Sequence, residues 1–223
     1  MISAGNDVVD LNKINKERTN QLNFYSKILS KPEQSLFYNQ NTGLPFENYV
    51  WLLWSVKESA YKFLKRLQPD LVFSPTKIIV EKVEPSAIHP ATVFKKVINE
   101  ITDGPLEYEG VVTCGQYYFH FRSKINDDMI TSVVDDEESF ENVWWGTGFT
   151  ENTSYNYQSQ AAKKFLLSKL NNLLSGDLHI EKGPFGYPLI MRNNGSVNIP
   201  VSLAHDGHFV AYSIKLNPFG QIA

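Results

Sequence analysis

Three widely separated stretches of the chain carry side chains suited to handling phosphate. Asp7 and Asp10 lie in the opening run Ala4-Gly5-Asn6-Asp7-Val8-Val9-Asp10-Leu11, Glu58 and Lys62 stand four residues apart, and His205 precedes Asp206-Gly207-His208 near the end. A hard divalent cation such as Mg2+ prefers a few carboxylates completed by phosphate oxygens and water. An Asp from one segment and a Glu from another would make such a partial cage for a pyrophosphate, leaving a Lys and a His to contact phosphate oxygens. Each group also has an ordinary reading. Glu58 and Lys62, acid first at i, i+4, match a modest solvated ion pair on a helix. Asp7 after Gly5-Asn6 suits turn chemistry. His205 and His208 flank a turn as surface residues or an adventitious metal pair, and two histidines without further ligands make a poor structural zinc site.

The elements that would position these groups are legible from spacing. Ala4 to Leu11 reads as a short strand carrying acids. From Leu22 to Asn39 the apolar positions Leu22, Tyr25, Ile28 and Leu29 recur at helical spacing. Pro32 suits the first turn of a second helix capped near Ser30 or Lys31, and Asn41 to Pro45 is a loop. The clearest helix runs from Glu47 to Leu67. Leu53, Val56, Ala60, Phe63, Leu64 and Leu67 trace its apolar stripe, with Lys57, Glu58, Lys62 and Lys65 expected on the other side. Strands are expected over 77–83, 110–121 and 129–134. The acidic run Asp135 to Glu138 marks a boundary between a first lobe, 1–140, and a second, 141–223. After Gly148 a helix is expected over 159–174, with Ala162, Phe165, Leu166, Leu170, Leu173 and Leu174 inward and a stop at Ser175-Gly176. Strands follow near Leu189 and at 201–203, and Asp206-Gly207 has the chemistry of a tight hairpin turn leading into 209–214. Each half thus offers helix and antiparallel strands. The fold class expected is α+β, with two pseudo-symmetric lobes and the active site in the cleft between them.

Composition narrows the class further. A chain of 223 residues with 42% hydrophobic, 13% aromatic and 20% charged residues reads as a globular protein with well-filled cores. Its net charge of −3 argues against broad nucleic-acid binding, which needs a basic face. The single Cys114 cannot form an internal disulfide and suits a reducing compartment. Asn6 and Asp7 interrupt any secretory apolar run at the start, and no apolar stretch approaches the ~18 residues of a membrane span. A soluble cytoplasmic protein is expected.

Taken together, the stretches resemble one family. Gly5-Asn6-Asp7-Val8-Val9-Asp10 resembles the G-x-D-(I/V)-x-(E/D) motif of the 4′-phosphopantetheinyl transferase superfamily. Trp54-Ser55-Val56-Lys57-Glu58-Ser59-Ala60-Tyr61-Lys62 is similar to its W-(S/A)-x-K-E-(A/S)-x-x-K motif at every defining position, and is the specific signal. Val201 to Ala211 is similar to S-(L/I)-S-H-x-x-x-(Y/F)-x-A, and Leu29 to Glu33 to the F/L-(S/T)-x-x-E turn. The motif order is that of the short, trimeric holo-acyl-carrier-protein synthases, whereas the length is that of the two-lobed surfactin-synthetase-activating type. Two positions depart from the pattern. Ala204 replaces the serine before the histidine, and Tyr187 stands where Gly-Lys/Arg-Pro has a basic residue.

The resemblance implies transfer of the 4′-phosphopantetheine group of coenzyme A to a serine of an apo acyl or peptidyl carrier protein, with Mg2+. Two lobes in one chain make a monomer the expectation, and neither nucleic acid nor membrane is expected as a partner. Asp7 and Glu58 would hold the metal, and Glu58 and Lys62 would be catalytic. Lys62, Lys57 and His205 would contact coenzyme A. Lys163 and Lys164, opening the helix of the second lobe, would meet its 3′-phosphate or else form a solvated face. Asp10 has two readings, a water-mediated metal contact or a purely structural role. The principal rival is a non-catalytic coenzyme A or carrier-protein binding module of the same fold, which Ala204 and Tyr187 favour. A second rival, a Mg2+-dependent nucleotide hydrolase, has no P-loop pattern behind it.

Overall fold

Alternation along the opening run decides which way each of its residues faces. The computed structural model describes residues 3–40, 42–86, 106–172, 174–193 and 195–216. Gly5–Asp10 form strand β1, buried along its whole length. It runs against the long helix α4, Phe46–Leu67. A Cβ at Gly5 would collide with the Ser59 carbonyl and the backbone of Phe63, so only glycine lets strand and helix approach this closely. By the two-residue period of a strand, Asp7 and Val9 share the helix-facing side, and Val9 joins the core built on α4. The opposite side meets β10, Val201–Asp206, and β11, Phe209–Lys215. There Val8 packs with Ala204, Phe209 and Ala211.

Between β1 and α4 the chain makes a short 3-10 turn and three helices, α1 (Lys16–Thr19), α2 (Leu22–Tyr25) and α3 (Lys31–Asn39). The helical spacing across 22–39 therefore resolves into two pieces. Ser30 caps the second: its backbone N–H and hydroxyl both donate to Glu33 Oε2, at 2.7 and 2.8 Å. Pro32 falls in the first turn as expected. The α4 stripe is buried from Leu53 to Leu64, with Leu67 half-buried. Lys65 and Arg66 in its last turn complement the helix dipole.

The first sheet has the order β1-β5-β4-β3-β2, all antiparallel, with β2 Ile78–Pro85, β3 Leu106–Cys114, β4 Tyr117–Ile125 and β5 Met129–Asp135. The strand expected over 110–121 is a hairpin of two strands, turned at Gly115 with φ +59°. Two smaller sheets follow. One has the order β10-β11-β6, with β6 at Val143–Phe149, and the other β7-β8-β9, with β7 Leu178–Lys182, β8 Pro188–Arg192 and β9 Gly195–Val197. Helix α5, Tyr155–Leu170, packs on β10 and β11. It begins earlier than expected, because Ser154 takes the extended conformation of a cap, and so Lys163 and Lys164 lie within the helix rather than opening it. Ala162, Leu166 and Leu170 are buried as expected. Leu173 and Asn41 lie outside the described residues. Antiparallel sheets covered by helices make the architecture α+β. Among the described residues, no helix is long and apolar enough to cross a membrane.

Candidate active site

Asp7 reaches its position because Gly5 lets β1 press against α4, and two residues on, the same face presents a carboxylate to the helix. There it meets Lys62, whose Nζ lies 2.9 Å from Asp7 Oδ1. Lys62 thus pairs across the fold rather than with its helical neighbour Glu58, and the surface-pair reading fails for it. Glu58, one turn earlier on α4, is half-buried. Asp7, Glu58 and Lys62 line one cleft of ≈530 Å³ with His205, and Trp51 and Trp54 contribute an aromatic wall. Segments separated by most of the chain therefore meet at a single cavity. Lys163 and Lys164 are not among the residues that line it.

The electrostatics follow from burial. Desolvation pushes the Asp7 carboxyl above its ordinary range, opposed by the charge of Lys62 and its hydrogen bond. Desolvation also raises Glu58; the lysine opposes this and the nearby Asp7 charge adds to it. Two carboxylates crowded into a poorly solvated site with one lysine form a set of hard oxygen donors with unmet demand for positive charge. Such a pair fits a magnesium ion whose remaining ligands come from a diphosphate and water. Among the described residues, no group of three or more His, Cys, Asp or Glu is placed to hold a metal by itself.

Asp10 has a structural role in this fold. Its Oδ1 accepts the Asn12 backbone N–H at 3.0 Å and its Oδ2 the His208 N–H at 3.1 Å. Its own N–H donates to Asp206 Oδ2 at 2.9 Å. The carboxylate therefore clamps the β10–β11 hairpin onto β1. Gly207, φ +54°, is required in that turn, since a Cβ there would strike the Asp10 carboxylate. His205 lines the cleft half-buried, and desolvation together with the Lys62 charge lowers its pKa, against a raising effect of Asp206. His208 is no metal partner for it. His208 Nδ1 donates to the Thr150 carbonyl at 2.9 Å and its ring stacks on Phe149.

Lys57 departs furthest from expectation. It lies on the buried side of α4, fully inaccessible, and not on the exposed side. Its three N–H donors go to Ile28 O at 2.7 Å, Glu33 Oε2 at 2.7 Å and Pro75 O at 3.0 Å. No donor is left for coenzyme A, so the cofactor role is withdrawn. A signal was present: Lys57 lies four residues after Leu53, three before Ala60 and seven before Leu64, inside the apolar stripe.

Both motif departures acquire a local reason. The Ala204 side chain is buried in the apolar cluster with Val8 and Phe209, where a hydroxyl would need a partner of its own. Tyr187 lies beneath a guanidinium, with Arg66 Cζ 4.4 Å from its ring centroid. Arg66 also donates to Pro188 O at 2.9 Å and Val201 O at 2.8 Å, tying α4 to β8 and β10. A basic group is thus present at this position, supplied by α4 one turn beyond Lys62. Neither Arg66 nor Gln158, which touches His205, stood out by sequence; only their helical register with Lys62 and Ala162 pointed to them.

A family model described as ACPS, the 4′-phosphopantetheinyl transferase superfamily, matches residues 3–100, which include Asp7, Glu58 and Lys62. The match supports a transferase acting in phosphopantetheine transfer in general. No match was found among curated proteins or among solved structures.

Proposed function

We propose, from the match of residues 3–100 to the 4′-phosphopantetheinyl transferase superfamily model, that the chain transfers the 4′-phosphopantetheine group of coenzyme A to a serine of an apo carrier protein, releasing adenosine 3′,5′-bisphosphate. The observation that carries this reading is the convergence of Asp7, Glu58, Lys62 and His205 on one cleft. A magnesium ion held by Asp7 and Glu58 would neutralise charge on the phosphoryl group under attack and on the departing bisphosphate. Lys62, held beside Asp7 at the cleft, would offer its ammonium to a phosphate oxygen. His205 contacts a second phosphate oxygen across the cleft. The serine hydroxyl attacks the phosphorus that bears the pantetheine arm, the bond to the bridging oxygen of the diphosphate breaks, and the serine proton passes to Glu58 directly or through water.

The testing experiment incubates an apo carrier protein with coenzyme A, Mg2+ and the purified chain and follows carrier mass. A gain of one phosphopantetheine group per carrier, lost with Asp7→Ala or Glu58→Ala, is the expected result. Binding of coenzyme A without any mass gain identifies the non-catalytic module instead, and release of nucleotide without carrier identifies a hydrolase. A panel of fatty-acid, polyketide and peptide-synthetase carriers would define the physiological acceptor.

A further inference from the structure

His205 is gripped from behind by a residue outside the motifs. Gln158, in the first turn of α5 and 5% exposed, donates from Nε2 to the Gly207 carbonyl at 2.6 Å and places Oε1 3.0 Å from His205 Nδ1. Its amide cannot be turned over without pressing two acceptor oxygens together at the Gly207 contact, which fixes Oε1 toward the imidazole. An amide oxygen only accepts, so the hydrogen in the shared bond belongs to Nδ1. Tyr155, one turn earlier on the same helix, packs edge-on to the ring with centroids 5.1 Å apart and limits its rotation.

We propose that Gln158 is a positioning residue for His205: it holds the imidazole in the Nδ1–H tautomer and so reserves Nε2 for the phosphate-bearing ligand. In the neutral ring Nε2 carries a lone pair. A phosphate oxygen is met there once Nε2 takes up a proton, and the imidazolium then has both N–H groups engaged, one by Gln158 and one by phosphate. The arrangement mirrors the way an outer partner fixes which nitrogen of a metal-bound histidine faces the ion. The charged and titratable groups around the ring are Lys62 and Glu58 on α4, Asp7 on β1, Tyr155 on α5, and Asp206 and His208 on the hairpin. The consequence for ligand binding rests on the proposed function, whereas the tautomer itself does not.

The test is a long-range 1H–15N spectrum of the uniformly labelled full chain, without coenzyme A, at a pH where His205 is neutral. Protonated and bare ring nitrogens resonate far apart, so the tautomer reads directly. The expected result is a protonated Nδ1 and bare Nε2 in the native protein, and a shift toward the Nε2–H form in Gln158→Leu. In the transfer assay the same variant should raise KM for coenzyme A roughly tenfold, the factor of one lost hydrogen bond, with kcat nearly kept. Should Gln158→Leu fail to fold, Gln158→Met keeps the length of the side chain, removes the acceptor and is expected to give the same shift. A native His205 in the Nε2–H form, or a tautomer left unchanged in whichever of the two variants folds, would overturn the proposal. If no carrier is modified but the spectra behave as expected, the positioning role stands and the catalytic reading falls.

Discussion

Replacing Lys57 by methionine isolates the largest disagreement between helix pattern and observed packing. Methionine keeps most of the stem and removes the ammonium. Both members of the Lys57–Glu33 pair have no exposed side-chain surface and lie 2.7 Å apart. The change leaves the Ile28 carbonyl without its donor and the Pro75 carbonyl with the Ile78 N–H, and leaves Glu33 as a buried carboxylate. Glu33 keeps only the Ser30 N–H and hydroxyl on Oε2 and the Val80 N–H, 2.8 Å away, on Oε1. Breaking one side of a fully buried ion pair costs about 3–5 kcal/mol. For a chain of this size that lowers Tm on the order of 10 °C. A solvated lysine on an exposed face would cost at most ~0.5 kcal/mol. Urea unfolding followed by Trp fluorescence gives the cost, and a cycle with Glu33→Gln gives the coupling, expected at about 1–3 kcal/mol. A loss below about 1 kcal/mol, accompanied by a large rise in KM for coenzyme A, would refute the buried-pair argument and return Lys57 to the cofactor site.

Three further outcomes are expected. Glu58→Gln abolishes transfer yet is at least as stable as the native protein in metal-free urea unfolding at neutral pH. The sign follows from the raised pKa: burial makes the folded state favour the protonated acid, so the contribution of Glu58 to stability is present below its ordinary value of 4.5 and is lost as pH rises through the higher folded value; a variant markedly less stable at neutral pH would contradict it. Asp10→Ala lowers Tm by the loss of two charge-assisted hydrogen bonds, about 2–4 kcal/mol, while the Mg2+ concentration giving half-maximal rate stays unchanged. A raised Mg2+ requirement with unaltered Tm would make Asp10 a ligand. Gly207→Ala costs more than about 1 kcal/mol, because φ +54° and the Asp10 carboxylate both exclude a Cβ, and an unaffected Tm would show that the hairpin clamp is slack.

Much of the fold was legible because it rests on local periodicity. The helix expected over 47–67 is observed over Phe46–Leu67, and the strand expected over 129–134 over Met129–Asp135. The Asp206-Gly207 turn falls within the β10–β11 hairpin. Strand ends and the split at 110–121 were harder, since a run of β-formers does not announce where it reverses when the turn is only Gly115 and Gln116. At the site, the residue types at 7, 58, 62 and 205 suited a metal and diphosphate centre, but each also had an ordinary reading, and only the resemblance of their motifs to one family set the first above the second.

What the chain's order alone determined, then, was the set of chemical groups and the elements that carry them. Their partners came from the tertiary structure. Lys57 is neutralised by Glu33, Lys62 pairs with Asp7 rather than Glu58, and Asp10 spends its carboxylate on the hairpin. Helical spacing says which side of a helix a charge occupies but not whether that side is dry, since desolvation and compensation depend on groups tens or hundreds of residues away. The signal that did exist was a polar residue inside an apolar stripe: Lys57 among Leu53, Ala60 and Leu64, and Gln158 in line with Ala162, Leu166 and Leu170. Such a residue can be buried only with a partner to satisfy it, and only the folded chain names that partner.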